Sequence, residues 1–102
     1  MDYQLVLQFE AKSLGEFDCL VALEEKLATR LVNLASVDGH DFGQEEFNVF
    51  LLTAQPKLTF ERAHEIIKLE GVRNCMRAAY RELTGEDYVT LWPPDAKEFS
   101  VS

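Results

Sequence analysis

Hydrophobic and polar residues alternate at the start of the chain. Tyr3, Leu5, Leu7 and Phe9 fall on one side of an extended backbone, and Gln4, Val6, Gln8 and Glu10 on the other. Successive strand side chains point to opposite faces, so this pattern predicts a half-buried strand. The period then changes. Ser13-Leu14-Gly15-Glu16 reads as a capping box, in which the Ser13 hydroxyl accepts from the Glu16 N–H and the Glu16 carboxylate reaches back. Behind it Phe17, Leu20, Leu23, Leu27, Leu31 and Leu34 recur at helical spacing, with Glu24, Glu25, Lys26 and Arg30 among the polar positions. The stripe predicts a helix of about five turns.

Leu34 to Val37 reads as a short strand. Asp38-Gly39-His40-Asp41-Phe42-Gly43-Gln44 carries two glycines and two turn-favouring aspartates, and is predicted to be a loop. Glu46 to Thr53 reads as a strand that is apolar on both sides: Phe47, Val49 and Leu51 on one, Phe50 and Leu52 beside Asn48 on the other. That suits a central strand covered on both faces. Pro56 opens a second helix with Phe60, Ala63, Ile66, Ile67 and Leu69 as its apolar stripe and Gly71 as its cap.

Val72 to Leu83 fits two periods. Val72, Met76, Ala79, Tyr80 and Leu83 make a helical stripe, while Met76, Ala78 and Tyr80 alternate as a strand would. The turn residues Thr84-Gly85-Glu86-Asp87 and the strand-like Tyr88 to Trp92 favour a strand hairpin. Pro93-Pro94 ends it, and 94–102 is predicted to be an extended tail. The order is β-α-β-β-α-β with one extra C-terminal strand. It predicts a single α+β domain over 1–102 of ferredoxin-like type, an antiparallel sheet with two helices on one face.

Composition is that of an ordinary globular chain, 47% apolar and 27% charged over 102 residues. No apolar run reaches the ~18 residues of a membrane span, and Met1-Asp2-Tyr3-Gln4 does not open a signal peptide, so a cytoplasmic protein is expected. Cys19 and Cys75 lack metal-ligand spacing and are expected to be buried small hydrophobes. The net charge of −8 argues against nucleic acid as partner. The charge is uneven: residues 1–50 hold ten acids against Lys12, Lys26 and Arg30, a net of −7, while residues 51–102 hold eight acids and seven bases, a net of −1. Such a field favours basic partners.

The segments Asp38-Gly39-His40-Asp41-Phe42-Gly43, Asn48-Val49-Phe50 and Leu91-Trp92-Pro93-Pro94 resemble those of a set of short bacterial proteins of no assigned activity. The resemblance spans the chain from the second strand onward and implies a fold rather than a mechanism.

Asp38, His40 and Asp41 form the best chemical candidate, an imidazole between two carboxylates that could hold a divalent ion or act as a general base. No further ligand is spaced to complete a metal centre, so no metal or cofactor is assigned. Glu45 and Glu46 extend a base-free acidic stretch able to dock Lys or Arg side chains. His64-Glu65 lacks the second histidine of a zinc-protease helix, position 68 being Lys, and reads as helix surface. Arg62, Lys68, Arg73, Arg77 and Arg81 are interleaved with acids and read as a mixed surface.

Val6, Phe50, Leu52 and part of the Tyr88 to Trp92 strand, including Trp92, are expected on the sheet face away from the helices. A protein partner, self-association, or the tail through Phe99 and Val101 would cover them. No complete nucleophile, metal or phosphate motif is present. The expected function is a small non-enzymatic binding or regulatory domain without nucleic-acid or membrane partners, for instance a bacterial immunity-type protein masking a basic toxin surface. The alternative is a small metal-dependent or acid/base enzyme using Asp38, His40 and Asp41.

Overall fold

The computed structural model describes residues 2–72, 74–96, 99 and 101. Seven elements follow one another: β1 (Tyr3–Glu10), α1 (Leu14–Arg30), β2 (Ala35–Gly43), β3 (Glu46–Thr53), α2 (Pro56–Leu69), β4 (Met76–Glu82) and β5 (Val89–Trp92). The strands form one antiparallel sheet in the order β2-β3-β1-β4-β5. The protein is therefore α+β, with a five-stranded antiparallel sheet and two helices. Within the segment that fits two periods, Met76–Glu82 is the strand β4.

β1 is central. Its Leu5, Leu7 and Phe9 pair with Leu51, Val49 and Phe47 of β3, and with Tyr80, Ala78 and Met76 of β4. These residues share one sheet face, which meets Leu20, Leu23 and Leu27 of α1 and Phe60, Ala63, Ile66 and Ile67 of α2 in a single core. The opposite face is not a broad apolar plain. Val6 and Ala79 are fully buried there, Phe50 and Leu52 half-buried. Tail positions 97, 98, 100 and 102, and Arg73 of the basic series, lie outside the described residues.

The helix ends show why the chain breaks where it does. The Ser13 Oγ accepts from the Glu16 N–H at 3.2 Å, but the Glu16 carboxylate reaches one residue further back than a capping box requires, accepting from the Lys12 N–H at 2.7 Å. At the other end of α1 the Glu70 carboxylate bonds the Lys26 ammonium and lies 3.6 Å from Arg30 Nη2, tying α1 to the end of α2. α2 closes on Gly71, whose φ of +71° only glycine adopts at low cost. The Gly71 N–H donates to Lys68 O and the Val72 N–H to Ile67 O, the paired bonds of a Schellman cap.

Several sequence expectations are corrected. Leu69, expected in the buried stripe of α2, is 78% exposed because it lies past the face that carries Phe60, Ala63, Ile66 and Ile67. The loop expected over Asp38–Gln44 is strand: β2 runs to Gly43, and the reversal is made by Gln44 and Glu45 alone, with φ of 51° and 63°. A bulge hid the strand, because two residues, Asp38 and Gly39, stand opposite Phe50 between the Val37–Leu51 and His40–Val49 pairs, with Gly39 at φ +104°. Cys19 and Cys75 are exposed free thiols rather than core residues. Trp92 does not lie on the open face. A register shift beside Ala78 turns it onto α2, with its ring 6.3 Å from Phe60 and 4.6 Å from His64. His64 is accordingly half-buried between aromatic rings, and burial is the main cause lowering its pKa, with Lys68 adding to it.

Candidate functional site

The sequence places His40 between Asp38 and Asp41, but the pleat of β2 separates them. His40 pairs with Val49 and so shares the helix-side face, while Asp41 pairs with Asn48 on the other. Asp38 sits in the bulge. The three side chains therefore do not converge. Among the described residues no group of three or more His, Cys, Asp or Glu is placed to hold a metal ion.

The partner of His40 comes from α1. Its Nδ1 lies 2.8 Å from Glu24 Oε1. An ionised carboxylate can only accept, so with Glu24 ionised Nδ1 is the ring nitrogen that donates to it. Packing fixes the ring: it stacks on Phe47 at 4.8 Å and 19°, and Phe17 meets it edge-on at 5.9 Å. The His40 side chain is 33% exposed and that of Glu24 13%. The second Glu24 oxygen, Oε2, is buried and unpaired. Sequence reading could not find this pair. Glu24 was one polar position among several on α1, and the only available signal was its place next to the apolar Leu20, Leu23 and Leu27 stripe.

On the opposite face a polar row crosses the sheet at Asp41, Asn48, Gln8 and Arg77. Gln8 Nε2 donates to Asn48 Oδ1 at 3.0 Å, both side chains being buried, and Asn48 Nδ2 is left without a partner. Arg81 Nε donates to Gln4 Oε1 at 3.1 Å two rows further along this face, beyond the Phe50–Val6–Ala79 row. Of the expected basic series, Arg62 and Lys68 lie exposed on α2, Arg77 lies in the polar row, and Arg81 bonds across the sheet to Gln4.

The acidic sequence-predicted residues lie along β2 and its turn into β3. β2 is an edge strand, and Asp38, Asp41 and Glu45 are exposed along it and at its turn, with Glu46 half-buried at the start of β3. No Lys or Arg occurs from Leu31 to Pro56, so the β2–β3 hairpin carries no internal cation. Two bases lie near the turn: Arg77 lines a cavity with Gln44, Glu45 and Glu46, and Lys12 has its ammonium 2.8 Å from Glu10 Oε1. That hydrogen bond, with the Glu45 and Glu16 carboxylates behind it, holds Lys12 above the ordinary lysine range. Beside Lys12 a cavity of about 460 Å³ opens between the start of α1 and the hairpin, walled by Leu14, Phe17 and Phe42. Phe50, Leu52 and Trp92 lie elsewhere, the first two on the open face and the last against α2.

No helix among the described residues is long and apolar enough to cross a membrane. Neither a scan against protein-family models nor a search of curated proteins finds a match to this chain.

Proposed function

We propose that this protein is a non-enzymatic binding domain that docks a basic protein surface through the β2 edge and the β2–β3 turn. The observation that carries the reading is the hairpin without a lysine or arginine, presenting Asp38, Asp41 and Glu45 to solvent at an unpaired sheet edge. Charges of one sign on a fixed strand steer an oppositely charged partner and set its register. Acidic edge residues also keep two copies from pairing edge to edge, so an identical chain is a poor occupant.

The scaffold we infer is the ferredoxin-like β-α-β-β-α-β arrangement with β5 added beside β4. Its support is that β1 and β2 flank β3, while β3 and β4 flank β1, so each helix connects strands separated by one neighbour. The resemblance to short bacterial proteins and the acidity are compatible with an immunity-type role, masking a basic toxin. Hexalysine tests the docking chemistry. It is expected to bind saturably to the wild-type chain and to weaken steeply as salt rises, whereas hexaglutamate is not expected to bind. Absence of saturable hexalysine binding at low ionic strength refutes the reading.

A second reading, acid/base chemistry, is favoured by one observation: Glu24 orients the His40 imidazole as an orienting carboxylate does in a general-base pair. Turnover of p-nitrophenyl acetate or p-nitrophenyl phosphate that disappears in His40→Gln supports it, and turnover unchanged by that substitution rejects it.

A further inference from the structure

We infer that the cavity walled by Leu14, Phe17 and Phe42 receives a bulky apolar side chain of the docking partner, one flanked by Lys or Arg. The inference rests on the docking reading above and names the anchor that reading lacks.

Leu14 is the first residue of α1 and is 83% exposed, so it adds nothing to the core. Phe42, near the end of the edge strand, is 46% exposed. Two large apolar side chains left open at the mouth of one cavity are the usual mark of a contact site rather than of a core. The walls are also fixed before any partner arrives. Phe42 packs edge-on against Phe17 at 5.1 Å, and Phe17 packs edge-on against the fully buried Phe47 at 5.4 Å. An occupant therefore meets a rigid aromatic surface and spends little free energy on ordering it.

Charge selects the occupant. The rim carries Lys12 and Glu45, and Lys12 is surrounded by the Glu10, Glu16 and Glu45 carboxylates, three acids to one base. A basic residue on either side of an apolar anchor lowers this excess. A second copy of the chain brings its own acidic rim to the contact, which like-charge repulsion disfavours. The volume of about 460 Å³ lies within the range of roughly 300–1,000 Å³ of pockets that enclose small ligands, so it holds a single large side chain with room to enter.

The test is an amide NMR titration with acetyl-Lys-Lys-Phe-Lys-Lys-amide and its alanine analogue. The phenylalanine peptide is expected to bind about tenfold more tightly than the analogue and to shift the Leu14, Phe17 and Phe42 signals. Leu14→Ser, at an exposed position that leaves the fold intact, is expected to remove most of that advantage, while Leu69→Ser on α2, 78% exposed, leaves it unchanged. Equal binding of both peptides, with shifts confined to Asp38 and Asp41, overturns the cavity and leaves the acidic docking surface standing. Failure of both peptides to bind removes the docking reading itself. Binding of an acetyl-Glu-Glu-Phe-Glu-Glu-amide peptide as tight as that of the basic one overturns the charge argument. Concentration-dependent shifts of Leu14 and Phe42 without peptide assign the cavity to a second copy, against the proposal.

Discussion

His40 and Glu24, sixteen residues apart in the chain, meet at 2.8 Å across the α1–β2 packing. The pair joins the edge strand to the helix that covers it, and the imidazole stack on Phe47 extends the link into the core. Because Glu24 is largely buried and one of its oxygens is already unpaired, removing the imidazole leaves a desolvated carboxylate with no partner. His40→Phe, which keeps an aromatic ring over Phe47, is expected to lower unfolding stability by about 1–3 kcal/mol in urea titrations. Adding Glu24→Met to that variant is expected to recover most of the loss, since replacing both members of a buried pair with apolar groups is often close to neutral. An additive double variant contradicts the coupling.

Local patterns revealed most of the elements and almost none of these contacts. β1 and α1 were readable because period and capping residues agree over eight and seventeen residues. The strand inside Asp38–Gly43 was masked because its bulge breaks the alternation at Gly39 and its composition is that of a turn. The true turn, Gln44-Glu45, contains none of the glycine or asparagine that normally marks one. The acidic candidates and His40 lie on β2, its turn and the start of β3, and their division between two faces follows from the pleat and the bulge. Glu24–His40 and His64–Trp92 are long-range meetings that no spacing encodes.

The position of His64 sets an acid limb on stability. Packing against Phe60 and Trp92 disfavours its imidazolium, so the folded chain takes up that proton less readily than the unfolded one. The contribution is therefore complete above the ordinary value of 6.5 and is lost as pH falls below it, through the lowered folded value. Urea unfolding at about pH 7.5 and about pH 5.5 is expected to show a smaller loss in His64→Gln than in the wild-type chain. An equal loss in the two contradicts the assignment. Glu70, held low first by its bond to Lys26, adds a separate loss only below its ordinary value of 4.5.

Gln44 and Glu45 occupy left-handed conformations that cost a side chain about 1–2 kcal/mol each. Glu45→Gly is expected to raise unfolding stability by about 0.5–1 kcal/mol, once the entropy of glycine in the unfolded chain is set against the relief. The same change removes a carboxylate from the proposed docking surface, so stability and hexalysine affinity should move in opposite directions. A destabilised Glu45→Gly variant contradicts the turn geometry.

Both cysteines lie at the surface in the reduced state. Two thiols per folded chain are expected to react with a dithiobis-nitrobenzoate reagent without denaturant. A single reactive thiol, or none until urea is added, contradicts their placement.

Docking through the acidic hairpin is tested most directly by moving the same charge change to two places. Asp38→Asn, Asp41→Asn and Glu45→Gln together shift the formal net charge from −8 to −5, as do Glu61→Gln, Glu65→Gln and Glu86→Gln. All six positions are exposed, so both variants keep the fold. Hexalysine affinity is expected to fall about tenfold or more in the hairpin variant and to change less than about threefold in the other. Equal weakening of the two would show that only the total charge matters, and that the hairpin is not the binding surface.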